Sequence, residues 1–285
     1  MRQRRIGSFS VSAVGLGGMP MSIPGRKDRA TSIATIHAAL DAGVTLIDTA
    51  DAYTAPSDGQ GHNEELIAEA LASYGGDSSS VLVATKGGLI YADPGPWTRG
   101  GTPGYLTDAA KQSAARLGVD AIGLYQFHRP DPDVPYAESI GALKNLVQEG
   151  VIVHAGISNA DTDQIREAHS ILGDDLVSVQ NQFSPAHTDS RAELDLCAEL
   201  GLAFLPWSPL GGIHRASDLA EDHSAFGDVA AELEVSPQQV ALAWELSLAD
   251  VVVPIPGASR PPSIIDSAKA ADLKLSNEQL ANLGC

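Results

Sequence analysis

The chain has 285 residues and an ordinary globular balance of 44% hydrophobic and 19% charged side chains. Its formal net charge of −18 disfavours nucleic acid and anionic membranes as partners, although a local basic spot can still hold a phosphate. No apolar run reaches the ~18 residues that a membrane helix needs. The two cysteines, Cys197 and Cys285, fit neither a disulfide framework nor a metal site, so we expect a chain that works in a reducing cytoplasm.

The N-terminal segment contains Arg2, Arg4 and Arg5 ahead of a mildly apolar stretch, 11–21, which superficially resembles a secretory signal. Three glycines interrupt that stretch, and no small-x-small cleavage site follows it. The alternation of apolar and polar residues over 6–11 instead predicts a short β-hairpin with its turn at Gly7-Ser8.

Downstream, one unit recurs: a segment of helical period ends at a glycine, and a β-rich run follows. A glycine just beyond a helix favours closure in the left-handed conformation. The predicted helix-closing glycines are Gly43, Gly75-Gly76, Gly118, Gly150, Gly173 and Gly201. The predicted strands are 14–18, 44–47, 81–83, 122–127, 151–153, 176–179, 202–207 and 251–255. Capping-box patterns predict helix starts at Asp161, Ser236 and Ser276.

Eight strands alternating with helices indicate either a closed barrel or a doubly wound sheet. A doubly wound nucleotide fold needs Gly-x-Gly-x-x-Gly after its first strand, and the segment 15–21 lacks the third glycine. A barrel instead gathers single functional residues from the ends of many strands. We therefore predict an α/β fold, a (β/α)8 TIM barrel with a short N-terminal β-hairpin, in which residues 1–285 form a single domain.

Six of the predicted strands are followed by a polar or aromatic residue, which a barrel would bring to one rim. In chain order these residues are Asp48 with Tyr53, Lys86, His128, Ser158 with Asn159, Gln180, and Trp207. Taken singly, each also has a structural explanation, such as a helix cap for Asp48 or a solvated loop position for Lys86. Their joint occurrence favours a catalytic site.

The four ionisable members of this set suit the reduction of a carbonyl group, in which the oxygen needs a proton. Tyr53 could supply it, and an ammonium from Lys86 beside the phenol would lower its pKa from ~10. Asp48 would keep Lys86 charged, and His128 would orient the carbonyl oxygen.

Five segments carry a resemblance to a known family: 46–53 (LIDTADAY), 84–88 (ATKGG), 124–128 (LYQFH), 156–159 (GISN) and 207–210 (WSPL). In order and spacing they resemble the aldo-keto reductase superfamily over nearly the whole chain. The resemblance implies reduction of an aldehyde or ketone to an alcohol by hydride transfer from NADPH. It also implies a catalytic tetrad of Asp48, Tyr53, Lys86 and His128, with Tyr53 as the acid.

The resemblance further implies a cofactor site. Ser158, Asn159 and Gln180 would hold the nicotinamide carboxamide, and Trp207 would stack on the nicotinamide ring. Ser208 and Leu210 match the pyrophosphate loop. The segment 256–260, which includes Gly257, Ser259 and Arg260, would receive the adenosine 2′-phosphate, with Arg260 as its cation.

The chain departs from the family pattern at three places. Asp266-Ser267 stands where Glu-Asn usually contacts the adenosine, which bears on the preference for NADP over NAD. Trp207 stands where tyrosine is frequent, and Gly123 replaces a common aspartate in the fourth strand, where we expect only a structural consequence.

Tyr91 and Trp97 lie in a long Gly/Pro-rich loop, where they either line the substrate pocket or only pack their own loop. The histidines show no ligand spacing, so we expect no metal. The expected partner is a small carbonyl compound, with no nucleic acid, membrane or obligate protein partner. Two other functions stay open: a nucleotide-sensing subunit on the same scaffold, and a barrel enzyme in which Lys86 forms a Schiff base. The second leaves Tyr53, Asn159, Gln180 and Trp207 without a shared purpose.

Overall fold

A computed structural model describes residues 1–55, 57–91, 97–212, 215–216 and 218–284, so Cys285 lies outside the described residues. Seven parallel strands form one sheet in which strands that follow each other along the chain are neighbours. They are β3 (Leu16–Gly17), β4 (Leu46–Asp48), β5 (Leu82–Gly87), β8 (Ile122–Phe127), β9 (Ile152–Ser158), β10 (Leu176–Gln180) and β11 (Ala203–Phe204). Two antiparallel hairpins accompany them, β1 (Gln3–Ile6) with β2 (Phe9–Ser12), and β6 (Leu89–Ile90) with β7 (Thr98–Arg99).

The segment 251–257 takes the eighth position and closes the sheet. Val253 N–H donates to the Phe204 carbonyl over 2.9 Å, and Gly17 N–H donates to the Pro256 carbonyl over 3.0 Å. Parallel bridges join Phe204 to Val252 and Gly17 to Gly257. Because Pro254 and Pro256 have no N–H, the segment forms isolated bridges rather than a continuous ladder. The predicted (β/α)8 barrel is confirmed.

Helices follow the strands around the outside, and α10 packs against α1 to close the ring. The helices are α1 (Arg29–Asp41), α2 (His62–Ala72), α3 (Pro103–Leu117), α4 (Tyr136–Gln148), α5 (Thr162–Leu172), α6 (Arg191–Leu200), α7 (Leu219–Asp222), α8 (Ser224–Leu233), α9 (Pro237–Leu248), α10 (Pro261–Lys269) and α11 (Asn277–Asn282). In the part of the chain that is described, no helix combines the length and apolar character needed to span a bilayer.

The predicted helix ends are confirmed at several positions and wrong at one. Gly118 closes α3 with φ 68° and Gly201 closes α6 with φ 71°, both left-handed. By contrast, α2 ends at Ala72 with Ser73 in the right-handed region, so Gly75-Gly76 does not close it. The side chain of Ser73 caps the C-terminus of α2 instead, because its Oγ donates to the Glu69 carbonyl over 2.8 Å.

The predicted capping boxes form at Asp161 and Ser276, but only half of one forms at Ser236. Ser236 Oγ accepts from Gln239 N–H over 3.1 Å, whereas the Gln239 side chain donates to Asp266 Oδ1 over 2.6 Å. The side chain that would complete the box therefore ties α9 to α10 instead.

The barrel interior is filled by apolar side chains from alternating strand positions, and the first hairpin supplies Ile6 and Val11 to the same cluster. The predicted hairpin is thus confirmed, and its turn has Gly7 at φ 55°. Phe9 and Leu82 occupy the space beside Gly123, where an added Cβ would lie 2.6 Å from Leu82 Cδ1. A side chain at Gly123 would therefore compete with the packing between the hairpin and the barrel.

We predict that Gly17→Ala weakens the closure of the barrel, because the new Cβ would lie 2.8 Å from the Ile255 carbonyl oxygen, a backbone atom. Overpacking of this kind costs about 1–3 kcal/mol of the free energy of unfolding. The matched control is Gly141→Ala in α4, where no heavy atom lies within 4 Å and helix propensity predicts a gain of about 0.5–1 kcal/mol. Urea unfolding measures both, and equal stability of the two variants would contradict the close approach of segment 251–257 to β3.

Candidate active site

A cleft of about 890 Å³ opens at the carboxyl ends of the barrel strands. The predicted site residues that line it are Asp48, Tyr53, Trp97, His128, Ser158, Asn159, Gln180, Trp207, Ser208, Leu210, Gly257, Ser259 and Arg260. Lys86 lies buried behind this lining, and Tyr91 is not part of it. Tyr91 instead packs edge-on against Trp97, with ring centroids 5.8 Å apart, so of the two loop aromatics only Trp97 faces the cleft.

Lys86 is fully buried at the end of β5, and all three donors of its ammonium are used. Nζ donates to Asp48 Oδ1 over 2.6 Å, to the Thr49 carbonyl over 2.8 Å and to Tyr53 Oη over 3.1 Å. The ammonium also lies 4.9 Å from the centre of the Tyr53 ring. Since a lysine ammonium has three donors, this arrangement fixes it completely.

Asp48 is held from three further strands as well as by its own position on β4. Gln180 Nε2 donates to Asp48 Oδ2 over 2.8 Å, and Gln126 Nε2 lies 3.4 Å from the same oxygen. Gln126 is fully buried, and the sequence analysis missed it. Its signal was a polar residue inside an otherwise apolar strand, two positions before His128 on β8.

The loop that carries Tyr53 is fixed by a second buried polar group behind the tetrad. Asp51 N–H donates to the Lys86 carbonyl over 3.1 Å, and Gly61 N–H donates to the Asp51 carbonyl over 2.6 Å. Nearby, the buried Glu64 pairs with Arg116 at 2.6 Å. Burial, together with the Glu64 carboxylate, raises the pKa of Asp51 to about 7. These contacts anchor the chain on both sides of Tyr53.

The pKa of Tyr53 shifts in the direction opposite to the one predicted from the sequence. Burial raises the pKa of its phenol above the ordinary value, and this outweighs the opposite effect of the Lys86 ammonium. The prediction of a lowered pKa was therefore wrong, because desolvation of a phenolate was not included. Burial lowers the pKa of Lys86, but Asp48 and Tyr53 raise it more, so it too lies above its usual value. At neutral pH Lys86 is charged and Tyr53 carries its proton.

His128 stands beside Tyr53, with ring centroids 5.7 Å apart and planes nearly perpendicular. Burial lowers the pKa of His128 well below its usual value, and the charges of Lys86, Arg129 and Arg99 add to the effect. The imidazole is therefore neutral at pH 7 and has one N–H to donate. Asn159 fixes the backbone here by donating from Nδ2 to the His128 carbonyl over 3.0 Å.

Two residues on the lining have an unusual backbone. Asn159 has φ 56° and Ser208 has φ 53°, and Glu234 is the only further non-glycine residue with positive φ in the described ranges. Ser158 Oγ donates to the Gln180 carbonyl over 2.7 Å, which joins the ends of β9 and β10. Backbone conformations of this kind persist only where surrounding contacts maintain them. They are found most often at ligand sites.

The segment after the eighth strand position supplies Gly257, Ser259 and Arg260 to the lining. An added Cβ at Gly257 would lie 2.8 Å from the Pro20 ring, so this segment runs close against the turn that follows the neighbouring strand β3. Asp266, whose charge could oppose a phosphate, accepts from Ser236 Oγ over 2.5 Å and from Gln239 over 2.6 Å. Both of its oxygens are therefore engaged within the protein.

A metal centre finds no support in the described residues, where no three His, Cys, Asp or Glu side chains are grouped as ligands would be. The site is instead an organic acid–base group beside a long cleft. That combination suits a reaction in which a proton moves to or from a bound organic molecule.

Comparison with known proteins places this geometry in a family. The model of the aldo/keto reductase family matches residues 13–284. The chain belongs to the aldo/keto reductase family. It is 35% identical to an uncharacterised oxidoreductase of Schizosaccharomyces pombe over 98% of this chain and 88% of that protein. It is 33% identical to pyridoxine 4-dehydrogenase of Escherichia coli, covering 98% of this chain and 96% of that protein.

A solved structure of the same family has a similar fold. An aldo-keto reductase from Klebsiella pneumoniae, in complex with NADPH, matches with a TM-score of 0.82 and 27% identity. The match covers 99% of this chain and 94% of that one. The resemblance expected from the five sequence segments is thus confirmed, and the protein is an oxidoreductase of this family.

We predict that Lys86→Met destabilises the fold, because it leaves the Asp48 carboxylate buried without its cation. Breaking one side of a buried ion pair costs about 3–5 kcal/mol. The control is the double variant Asp48→Asn with Lys86→Met, which removes both charges and keeps a hydrogen-bonding side chain toward Gln180. Thermal and urea unfolding should show most of the loss recovered in the double variant. If the double variant is no more stable than Lys86→Met alone, the charge on Asp48 is not the origin of the loss.

Proposed function

We propose that this protein reduces an aldehyde or ketone to the alcohol with NADPH, and that Tyr53 donates the proton. The observation that carries the proposal is the buried chain of contacts from Asp48 through Lys86 to the hydroxyl of Tyr53, which opens on the cleft beside a neutral His128. We also propose that residues 1–285 act as one catalytic domain in the cytoplasm without an obligate protein partner.

The cleft fits NADPH in its size and in the groups it leaves available. About 890 Å³ is ample for a long ligand, since typical ligand pockets measure roughly 300–1,000 Å³. Trp207 presents an indole whose buried Nε1 has no partner among the described residues. Trp207 would contact the nicotinamide, Ser158 and Asn159 its carboxamide, Ser208 and Leu210 the pyrophosphate, and Arg260 the 2′-phosphate. When bound, NADPH supplies the hydride that reduces the carbonyl carbon.

Gln180 has a more restricted part than the family resemblance implies. Its Nε2 donates to Asp48 Oδ2 over 2.8 Å and to Gln126 Oε1 over 3.4 Å, so both amide hydrogens are engaged within the protein. Only its carbonyl oxygen is then free to accept from a carboxamide. We infer that Gln180 couples the cofactor site to the carboxylate that holds Lys86.

The residues around the carbonyl oxygen divide the work of the reaction. The O–H bond of Tyr53 breaks, its proton goes to the carbonyl oxygen, and the oxygen becomes the hydroxyl of the alcohol. The phenolate left on Tyr53 accepts a hydrogen bond from the Lys86 ammonium, 3.1 Å away, which stabilises the new charge. His128, being neutral, orients the carbonyl oxygen through its N–H without competing as an acid.

The geometry disfavours the alternative in which Lys86 forms a Schiff base. That chemistry needs a neutral amine that reaches a bound carbonyl. Lys86 is fully buried behind the lining, and all three of its donors are held by Asp48, Thr49 and Tyr53. Its pKa is raised, so the neutral form is scarce at pH 7.

We predict that Tyr53→Phe lowers kcat for aldehyde reduction by about 10²–10⁴-fold, because general acid catalysis is lost. NADPH should still bind with nearly unchanged affinity, since the phenyl ring keeps the shape of the site. Stopped-flow absorbance of NADPH measures the rate, and quenching of tryptophan fluorescence measures cofactor binding. Turnover within about threefold of the wild type would exclude Tyr53 as the acid.

We predict that Arg260→Ala weakens NADPH binding about tenfold to a hundredfold and leaves NADH binding nearly unchanged. A charge-assisted hydrogen bond contributes about 1.5–3 kcal/mol, which is the same range. Arg260 matters more than usual here, because Pro261 and Pro262 remove two amide donors from the N-terminus of α10. Fluorescence titration of both cofactors against both proteins is the measurement. Equal losses for NADPH and NADH would assign Arg260 a structural role instead.

A further inference from the structure

Two arginines line the cleft near the tetrad, and the proposed reaction does not use either of them. Arg129 directly follows His128 and is half-buried, whereas Arg99 lies exposed at the end of β7. Neither has an ion pair or a hydrogen-bond partner for its guanidinium among the described residues. Several other described arginines, such as Arg166, also lack a carboxylate partner, but Arg99 and Arg129 lie at the cleft beside the proposed catalytic residues. Elsewhere in the described ranges, arginines that reach a carboxylate are Arg4, Arg26, Arg29, Arg116 and Arg191.

The two guanidinium groups act on the same space as the catalytic residues. Burial lowers the pKa of Arg129, and the charge of Arg99 lowers it further. Both arginines also contribute to the lowered pKa of His128. Two like charges that line one partly desolvated cleft repel each other, and a bound anion would offset that repulsion.

No free carboxylate in the described lining of this cleft offers that compensation. Arg129 also borders a second, smaller pocket that includes Asp161, Asp189 and Glu193, but none of these carboxylates forms an ion pair with its guanidinium. The acidic residues of the lining are Asp48 and Asp266, and each has both oxygens engaged by protein donors. The cleft is therefore positive near Tyr53 on a protein whose overall charge is −18. Field lines concentrate in such a cleft and attract anions.

We infer that Arg99 and Arg129 form an oxyanion subsite, and that the preferred carbonyl substrates carry a carboxylate or a phosphate monoester. This inference rests on the proposed function, because the subsite would position the carbonyl group against Tyr53 and His128. A guanidinium presents paired N–H donors that match either oxyanion. Leu89 and Trp97, on the same wall as Arg99, supply an apolar surface for the carbon skeleton between the anion and the carbonyl.

The test uses two pairs of related aldehydes in which one member carries an anionic group and the other is neutral. The first pair is 4-carboxybenzaldehyde and methyl 4-formylbenzoate, and the second is glyceraldehyde 3-phosphate and glyceraldehyde. We expect the wild type to have a kcat/KM about tenfold or more higher for the anionic member of at least one pair, and we expect added salt to reduce this preference. A preference in the first pair alone identifies a carboxylate, and in the second alone a phosphate.

Single substitutions show which arginine is responsible for the preference for the anionic aldehyde. Arg129→Gln should lower kcat/KM for the anionic aldehyde about tenfold, mainly through KM, and leave the neutral aldehyde nearly unchanged. Arg99→Gln should have a smaller effect, about threefold, because exposed charges interact weakly. The matched control is Arg166→Gln on α5, an exposed arginine outside the cleft lining, which removes the same charge and should change nothing.

The outcomes separate this inference from the proposed function. If the wild type reduces the neutral and anionic members equally well, the subsite is wrong and the reductase activity stands. If Arg166→Gln reduces the preference as much as Arg129→Gln does, the overall field and not the subsite attracts the anion, which also overturns the inference. If none of the four aldehydes is reduced with NADPH, the proposed function itself fails. The wild-type comparison decides the question even if a variant does not fold.

Discussion

The ion pair between Lys86 and Asp48 is the constraint on which the site depends. A buried ammonium and a buried carboxylate each cost several kcal/mol to remove from water, and only close pairing with full hydrogen bonding offsets that cost. The protein satisfies this requirement with polar groups from several strands of the barrel, including the donors Gln126 on β8 and Gln180 on β10. The same requirement favours one register at the carboxyl rim, because a shift of β4 against β5 would leave a charge unpaired and a shift of β8 or β10 would remove an amide donor from Asp48.

This pair also explains why a raised pKa at Tyr53 is compatible with its proposed role as an acid. A phenol that stays protonated through neutral pH is always ready to donate, and a permanent ammonium beside it stabilises the phenolate only after the proton has left. The environment as a whole therefore keeps the phenol protonated, and the ammonium of Lys86 offsets part of the cost of burying the phenolate that forms when the proton leaves. A tyrosine with a lowered pKa would spend part of its time in the wrong state for reduction.

Much of the architecture could be predicted from sequence, because the signals are local. Glycines after helices, apolar strand runs and polar residues at strand ends follow from the chain itself, and they placed Asp48, Lys86 and His128 at one rim. The missed features depend on tertiary contacts. The role of Gln126 depends on the direction in which its side chain leaves a buried strand. The contacts of Asp266 depend on how α10 packs against α9. The pKa of Tyr53 needed its burial, which no motif records.

The end of α2 and the eighth strand also combine a local sequence signal with a contact that the signal does not indicate. Gly75-Gly76 carries the usual signal for a helix end, but Ser73 satisfies the last carbonyls first. The run 251–255 reads as a strand from its β-branched residues, yet Pro254 and Pro256 restrict the hydrogen bonds it can form. In each case the competing interaction is a specific backbone contact that composition alone does not indicate.

Those two prolines give the barrel an uneven wall. Between β3 and the segment 251–257, the amides of Gly15 and Gly17 donate to Pro254 and Pro256, and no amide returns from the prolines. The segment is therefore joined to β3 by separate hydrogen bonds and an isolated bridge at Gly257, and not by a ladder. The segment that continues into Gly257 and Arg260 is attached at this boundary. The part of the wall that would hold the far end of a long ligand is thus also the part where proline replaces amide donors, so the barrel is closed there by a few backbone hydrogen bonds on each side.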